Sequence, residues 1–367
     1  MTAKLPQTDI LQLGVEIFRI IGEDVRFTSG KIYFYRVFNV AVCLFSLYFI
    51  LANCFRETGG VLVKTLEGAI TIFHVLTKYV AFMYGKSGIS SIIDDKAKFW
   101  NPQEIDTKLA SNADALYTYT KLMQKALLIA FVTSAHFYFL KPFFNSNDAF
   151  PFNVWINSES LPLNVAVLIL QYYCICIVVP TVLCYDIIYF SICVHLIVQL
   201  RLLKCRLAKA THDIRSELRA CIEHHQLLSG IFIKMQQIYS WILLVQYLIT
   251  LGIICVQLYI LNSGQLNIAD ATELLLYLTS MYSEFGYYSI PVEEMSFEFS
   301  DISNAVYKSS WYERNVDTRK SLLTIMIYAR VPKYLNGGGL ITVNTDAFGS
   351  VCRKSFSMYL VLKNLLK

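Results

Sequence analysis

The chain has 367 residues, of which 55% are hydrophobic and only 16% charged, with a mean hydropathy of +0.47. Soluble domains carry about 45–50% apolar and about 25% charged residues, so disorder, collagen, a basic nucleic-acid binder and an ordinary cytosolic enzyme are poor fits. A polytopic membrane protein remains, and the net charge of +5 has to be read loop by loop.

Met1–Gly30 mixes Lys4, Asp9, Glu16, Arg19, Glu23, Asp24 and Arg26, which is not a signal-peptide pattern. A bilayer-spanning helix needs about 20 mostly apolar residues. In chain order the runs are Ile32–Asn53, Leu66–Tyr84, Leu122–Leu140, Val165–Leu200, Ile238–Leu261, Thr272–Ile290 and Ala347–Leu366, giving seven candidate spans. The sixth is the weakest, because Glu273, Glu284 and Pro291 interrupt it. The fold class expected is therefore all-α with seven transmembrane helices.

Basic residues separate the loops. Lys86, Lys96, Lys98 and Lys108 follow the second span, Arg201 to Arg219 the fourth, and Lys308 to Lys333 the sixth. Pro142–Pro162 and Asn262–Ala271 contain neither Lys nor Arg. The positive-inside rule places the basic loops in the cytosol, with the N-terminus cytosolic and the C-terminus extracellular. That orientation is opposite to a G-protein-coupled receptor. A secondary transporter would carry broken spans in repeated halves, and no such repeat is visible.

The fourth run, Val165–Leu200, would reach about 54 Å as one helix, against a core of about 30 Å. Pro180 is placed to kink it. Apolar spacing at Leu218, Ile222, Leu227, Leu228 and Phe232 starts a helix before the fifth span. Spans four to six are thus expected to project into the cytosol, the other reading being a separate surface helix. Residues 1–300 are expected to hold spans one to six, 201–237 and 296–333 cytosolic helices, 334–345 a hinge loop and 346–367 the last helix.

A helix at about Asp317–Ala329 ends at Pro332, and Gly337-Gly338-Gly339 free the backbone beyond it. No P-loop pattern follows, so the glycines read as a hinge. Thr345 with Asp346 is the expected N-cap of the last helix. Its first half carries Ser350, Arg353, Lys354, Ser355 and Ser357, and its second half Met358, Val361, Leu362 and Leu365. Ser350, Lys354, Val361 and Leu365 share a face. A polar inner half with an apolar constriction suits a pore with a hydrophobic gate. A packed helix with Arg353 and Lys354 at the cytosolic surface fits the residues equally well.

The ten cysteines form no CxxC pair, and free thiols are expected, most of them buried. His224 and His225 beside Glu223 point about 100° apart on a helix, so a solvated helix face is favoured over a metal site. No metal, cofactor or nucleic-acid site and no catalytic constellation is expected.

From Ala305 to Lys367 the chain resembles the insect odorant receptors. The resemblance rests on Trp311-Tyr312, Arg319-Lys320, the helix Ser321–Ala329, Pro332, Asp346-Ala347-Phe348 and the closing Ser355-Phe356-Ser357-Met358-Tyr359-Leu360-Val361-Leu362. A second stretch is Leu218-Arg219-Ala220-Cys221-Ile222-Glu223-His224-His225. The Thr-Tyr…Gln-Phe ending of the related gustatory receptors is absent. The resemblance implies a plasma-membrane odorant-gated cation channel of a sensory dendrite. It implies a heterotetramer with the odorant receptor co-receptor, and a small volatile organic ligand. It also implies a ligand-binding bundle within residues 1–300 and an anchor role for the cytosolic helices of 201–237 and 296–333. Lacking the co-receptor's long insertion, the chain reads as a ligand-tuning subunit. Gate positions carry over to Val361 and Leu365, with Met358 and Lys354 on the pore side. Lys363 lies about 200° from Val361 and is expected to point away from the pore.

The resemblance also implies an odorant pocket in the outer half of spans two, three, four and six. The residues there are Phe73 and His74; Phe131, Ser134, Ala135 and Tyr138; Leu168 and Tyr172; Tyr277 and Met281. Such a lining suits a small neutral ligand held by burial and one or two hydrogen bonds. Ordinary helix packing explains each of these residues as readily, His74 included.

Overall fold

The structure is a computed structural model, and it describes residues 9–21, 23, 30–57, 59–144, 150–152, 154, 161–209, 214–262 and 268–365. Ten helices follow in order among these residues. They are α1 (Gln12–Ile20), α2 (Gly30–Cys54), α3 (Gly59–Asp95), α4 (Thr107–Phe144), α5 (Leu161–Tyr173), α6 (Val179–Lys209), α7 (Ile214–Asn262), α8 (Ile268–Lys308), α9 (Val316–Ala329) and α10 (Thr345–Leu365). The seven expected spans fall on α2, α3, α4, α5–α6, α7, α8 and α10.

Most helices run well past the apolar stretches of their expected spans. The helix that carries the third span begins at Thr107, that of the fifth at Ile214, close to the expected start near Leu218, and that of the sixth continues to Lys308. Among the described residues, four helical stretches carry windows apolar enough to cross a membrane by length and composition, with mean hydropathies of 2.0, 1.2, 2.3 and 2.1. They lie in α2, α3, α5–α6 and α7. The sixth and seventh spans are more polar, and their packed sides carry buried groups such as Ser289 and Ser355.

Pro180 does not simply kink span four. A π-turn at Cys174–Val178 joins α5 to α6 just ahead of it. A proline lacks the N–H that would close the helical turn, and the wider turn absorbs that loss. Pro291 lies inside α8, which continues through it. Helices α3 and α7 approach closely where Gly85 and Gly88 leave room for Ile238; a Cβ at either would lie 2.7 Å from that side chain. Small residues permit such approaches between membrane helices.

The N-terminal segment holds a helix that the sequence reading left unassigned. On α1, Phe18 stacks on Phe82 at 4.6 Å and Gly14 packs against Ile188 of α6. Gln124 and Ser191 both donate to the Ile10 carbonyl, at 3.0 and 3.1 Å. Asp9 sits 3.2 Å from His195 and also contacts Lys96. This helix fills the cytosolic end of the bundle.

The cytosolic parts of α6, α7 and α8 are continuous with their spans. Arg201 donates to Glu298 and Glu294, both at 2.6 Å, and Lys204 pairs with Glu298 at 2.5 Å and Asp301 at 2.6 Å. Burial alone would raise the Asp301 carboxyl, but the hydrogen bonds from Lys204 and Asn304 and the charges of Lys204 and Lys308 together hold it below the usual carboxylate range. His224 is not on a solvated face. It is buried, stacks on Trp100 at 3.9 Å and lies 3.0 Å from Gln199. Among the described residues no group of His, Cys, Asp or Glu could hold a metal. All ten cysteines are free, and Cys176 and Cys352 face outward.

The glycine run is not a free hinge. Asn336–Gly337 (β1) pairs antiparallel with Ile341–Thr342 (β2), a two-strand clip in an otherwise helical chain. It is docked on α7: Gly338 N–H donates to the Ser240 carbonyl at 3.0 Å, and Gln236 accepts from Asn336 N–H at 2.7 Å. Gly338 and Gly339 have φ of +56° and +71°, which only glycine adopts freely. A Cβ on Gly337 would lie 2.8 Å from the Leu244 backbone nitrogen. Gly337→Ala is therefore expected to loosen the clip by about 1–3 kcal/mol. A melting temperature of the detergent-solubilised variant equal to the parent's would count against the docking. Asn344, rather than Thr345 or Asp346, caps α10: its side chain accepts from Ala347 N–H at 2.7 Å. Thr345 instead donates to Glu293 of α8 at 3.2 Å.

Candidate functional site

A ladder of buried polar groups runs between α3 and its neighbours. At its top, the Thr71 and Tyr277 hydroxyls lie 2.5 Å apart, joining α3 to α8. One turn below, His74 Nε2 is 2.6 Å from Gln246 Oε1 of α7 and 3.8 Å from Glu284. Gln246 in turn donates to Thr250 at 3.3 Å. Two turns below the top, Lys78 Nζ donates to both Asp186 carboxylate oxygens, at 3.0 and 2.8 Å, and to Glu284. Tyr288 donates to the same aspartate.

Lys78 is 1% exposed, Asp186 7% and Glu284 16%, so the three charges lie at membrane depth within the bundle. Ions there are tolerated only when paired and hydrogen-bonded. One ammonium shared by two carboxylates, on three separate spans, meets that condition. Beneath them Tyr185, Tyr189, Tyr239 and Tyr288 pack ring against ring, with successive centroids 4.7 Å apart.

The ten expected pocket residues do not converge on one spot. Tyr277 and Met281 come together, packed among Ile70, Val245, Ile249 and Ile253, while His74, one turn below Thr71, meets Gln246 and Glu284. This group involves spans two, five and six, and span five was absent from the expectation. Ala135 and Tyr172 belong to a second cluster with the first, second and fourth spans. The Tyr172 hydroxyl donates to the Phe139 carbonyl at 3.1 Å. Leu168 and Phe131 are half-buried, and Phe73, 44% exposed, faces out of the bundle. The side chains of Ser134 and Tyr138 lie outside the described residues.

Sequence reasoning missed Lys78, Asp186, Thr71 and Gln246. The available signal was the charge itself: Lys78 and Asp186 each interrupt an apolar run, as Glu284 does. An ionisable residue inside a span marks a functional site by default.

The last helix lies on α7 and α8. Tyr282 stacks on Phe348 at 4.3 Å, Phe285 lies 6.2 Å from the same ring, and Gly286 sits directly beneath it. Lys354 donates to the Tyr247 hydroxyl at 2.8 Å, and Ser355 to the Leu251 carbonyl at 3.1 Å. Tyr359 is buried, and Lys363 lies over its ring at 5.9 Å. Away from the Phe348, Ser355 and Tyr359 side the helix is bare, with Val361 60% and Met358 47% exposed; Lys354 lies on the same face as Val361, nearer the start of the helix. The Leu365 side chain lies outside the described residues. A second bare apolar face, formed by Tyr312, Ile327, Tyr328 and Val331, lies on the anchor around α9. Nearby, burial lowers the Lys333 ammonium below the usual lysine range.

The family profile described as "7tm Odorant receptor" matches residues 58–356. Odorant receptor 30a of Drosophila melanogaster is 26% identical over 153 residues, 42% of this chain and 40% of that protein. Odorant receptor 94a of the same fly is 25% identical over 200 residues, 52% of this chain and 49% of that protein. The matched stretches thus span about half or less of these relatives' lengths. In fold, the chain is similar to the insect olfactory receptor OR5 from Machilis hrabei, with a TM-score of 0.85 at 14% identity over 96% of this chain and 97% of that one. The same receptor in complex with eugenol superposes with a TM-score of 0.84, covering 97% of both chains.

Proposed function

The chain belongs to the seven-transmembrane odorant receptor family, and from that premise we propose that it is the odorant-binding subunit of an odorant-gated, non-selective cation channel. It assembles with the odorant receptor co-receptor as a heterotetramer around one pore in the plasma membrane of a sensory dendrite. A small, neutral volatile binds in the outer half of the bundle and opens a hydrophobic gate on α10.

The observation that carries this reading is the asymmetry of α10. One side is pinned to α7 and α8 through Phe348, Ser355 and Tyr359, while Val361 and Met358 project away from this chain. A helix at the centre of its own fold would bury both sides. A helix lining a shared pore leaves one side for the axis, and apolar residues there form a dewetting constriction. Val361 is the gate residue on this reading, with Leu365 one turn beyond, and Lys354 stands on the inner side. The bare face around α9 is the surface through which the anchor meets neighbouring subunits.

For the ligand, the group around Tyr277, Met281, Ile70 and His74 is the best-supported contact region. Its walls are apolar, and its polar members are few. Ala135 and Tyr172, in the separate cluster with the first, second and fourth spans, are a second candidate contact region. Affinity comes mainly from burial, at about 25 cal/mol per Å² of apolar surface. Moderate affinity and broad tuning follow.

The test is co-expression with the co-receptor, with currents recorded across a panel of volatiles. Currents that require this chain support the reading; currents identical with and without it overturn it. On the same assay, Tyr277→Ala is expected to raise the half-maximal concentration about tenfold, as losing a buried aromatic contact does. The response to an agonist acting on the co-receptor should stay intact. A Tyr277→Ala variant with unaltered odorant sensitivity would remove this region from the site.

A further inference from the structure

The spacing of the polar ladder carries an inference about how binding reaches the gate. Thr71 and Lys78 are seven residues apart on α3, and Tyr277 and Glu284 are seven residues apart on α8. Seven residues are two helical turns, about 10 Å. By the charge bias of the loops, both helices run from the outer face inward. The Thr71–Tyr277 and Lys78–Glu284 contacts are therefore two rungs of one parallel seam.

The rungs differ in kind. The upper one is a neutral hydroxyl pair bordered by Ile70, Met281 and Ile249. A ligand with one hydrogen-bonding group can replace it without leaving a charge bare. The lower one joins an ammonium to carboxylates from two other spans. Separating these would strand a charge away from water. Adjacent to Glu284 are Phe285 and Gly286, which meet Phe348 on the first turns of α10.

We propose that the upper rung is the exchangeable contact and that the Lys78–Asp186–Glu284 cluster is a fixed pivot. Ligand inserted between Thr71 and Tyr277 spreads the outer ends of α3 and α8. Because the lower rung holds, α8 turns about Glu284, and Phe285 carries the motion to Phe348 and so to α10. Glu284 is then a positioning residue: it sets how much opening a bound ligand produces, not how tightly the ligand binds. The inference rests on the channel reading above.

Two variants separate pivot from contact, measured as current per surface receptor with the co-receptor present. The probes are eugenol, 1-octanol, 2-heptanone and benzaldehyde. Tyr277→Phe, which breaks only the upper rung, is expected to shift the half-maximal concentration. Glu284→Gln keeps Lys78 paired with Asp186 but weakens the lower rung. It is expected to cut the maximal current about fivefold or more, the lower end of ordinary coupling between two sites, with the half-maximal concentration held. Glu284→Asp, which keeps the carboxylate toward Lys78, should restore most of the maximum.

A shift in half-maximal concentration alone in Glu284→Gln overturns the pivot. So does loss of surface receptor in both lower-rung variants with unchanged current per remaining receptor, because that marks a purely structural cluster. If the parent receptor is silent to all four probes while the co-receptor agonist still drives current, the odorant reading falls for those probes. The pivot is then judged on spontaneous current, which Glu284→Gln should lower by the same factor and which, unchanged, would overturn it.

Discussion

Lys78→Met is expected to remove most of the receptor from the cell surface. The substitution leaves Asp186 and Glu284 facing each other at membrane depth with no cation between them. Breaking a buried pair in this way costs about 3–5 kcal/mol, or about two to four orders of magnitude in the folding equilibrium. Few proteins have that much stability to spare. Converting all three groups to neutral shapes, Lys78→Met with Asp186→Asn and Glu284→Gln, is expected to recover surface receptor. Replacing a whole ion cluster removes the desolvation cost along with the attraction. Surface biotinylation measures both. Equal surface levels for Lys78→Met and the parent would mean that water reaches the cluster. This experiment concerns folding and is separate from the current ratios that test the pivot.

The second large effect concerns the gate. Val361→Asn places an amide where an apolar side chain faces away from the bundle, 60% exposed in the single chain. A hydrophobic constriction blocks ions by excluding water, and a polar side chain holds water there. Spontaneous current with the co-receptor present is expected to rise on the order of tenfold. The same substitution on a helix side facing lipid would instead lower surface receptor and leave spontaneous current alone. Leu360, 44% exposed and next in the helix, supplies the comparison: Leu360→Asn should reproduce the lipid-facing result.

The span count and the order of the long helices were legible in the sequence because hydrophobic length is a one-dimensional property. The helix Val316–Ala329 was also legible, within a residue, from the proline that ends it. Helix ends elsewhere were not, since α4, α7 and α8 continue in amphipathic segments, α4 packing on α6 and α7 and α8 joining α6 in one apolar core. The glycine run was recognised as permissive backbone. Its use became visible only with α7 in place, because close approach to Leu244 is a property of two segments.

The abundant tyrosines show the same division. Their number, 24, invited a pocket lined with aromatic rings. Tyr277 does stand in an apolar group with a hydroxyl partner. Tyr185, Tyr189, Tyr239 and Tyr288 instead form a stacked core under the ion cluster. Residue type is the same in both places; the neighbour across the helix interface decides the role.

By itself, then, the amino-acid sequence determined what depends on position along one chain: membrane class, seven spans, the cytosolic side of the basic loops and the polar-to-apolar change within the last helix. Tertiary structure alone decided which groups meet. Lys78, Asp186 and Glu284 are separated by about a hundred residues at each step, and each read singly is an anomaly in an apolar run. Charge pairing depends on distance in space, and helix packing sets that distance. The same packing splits the expected pocket residues into two groups and brings Gln246 of the fifth span to His74.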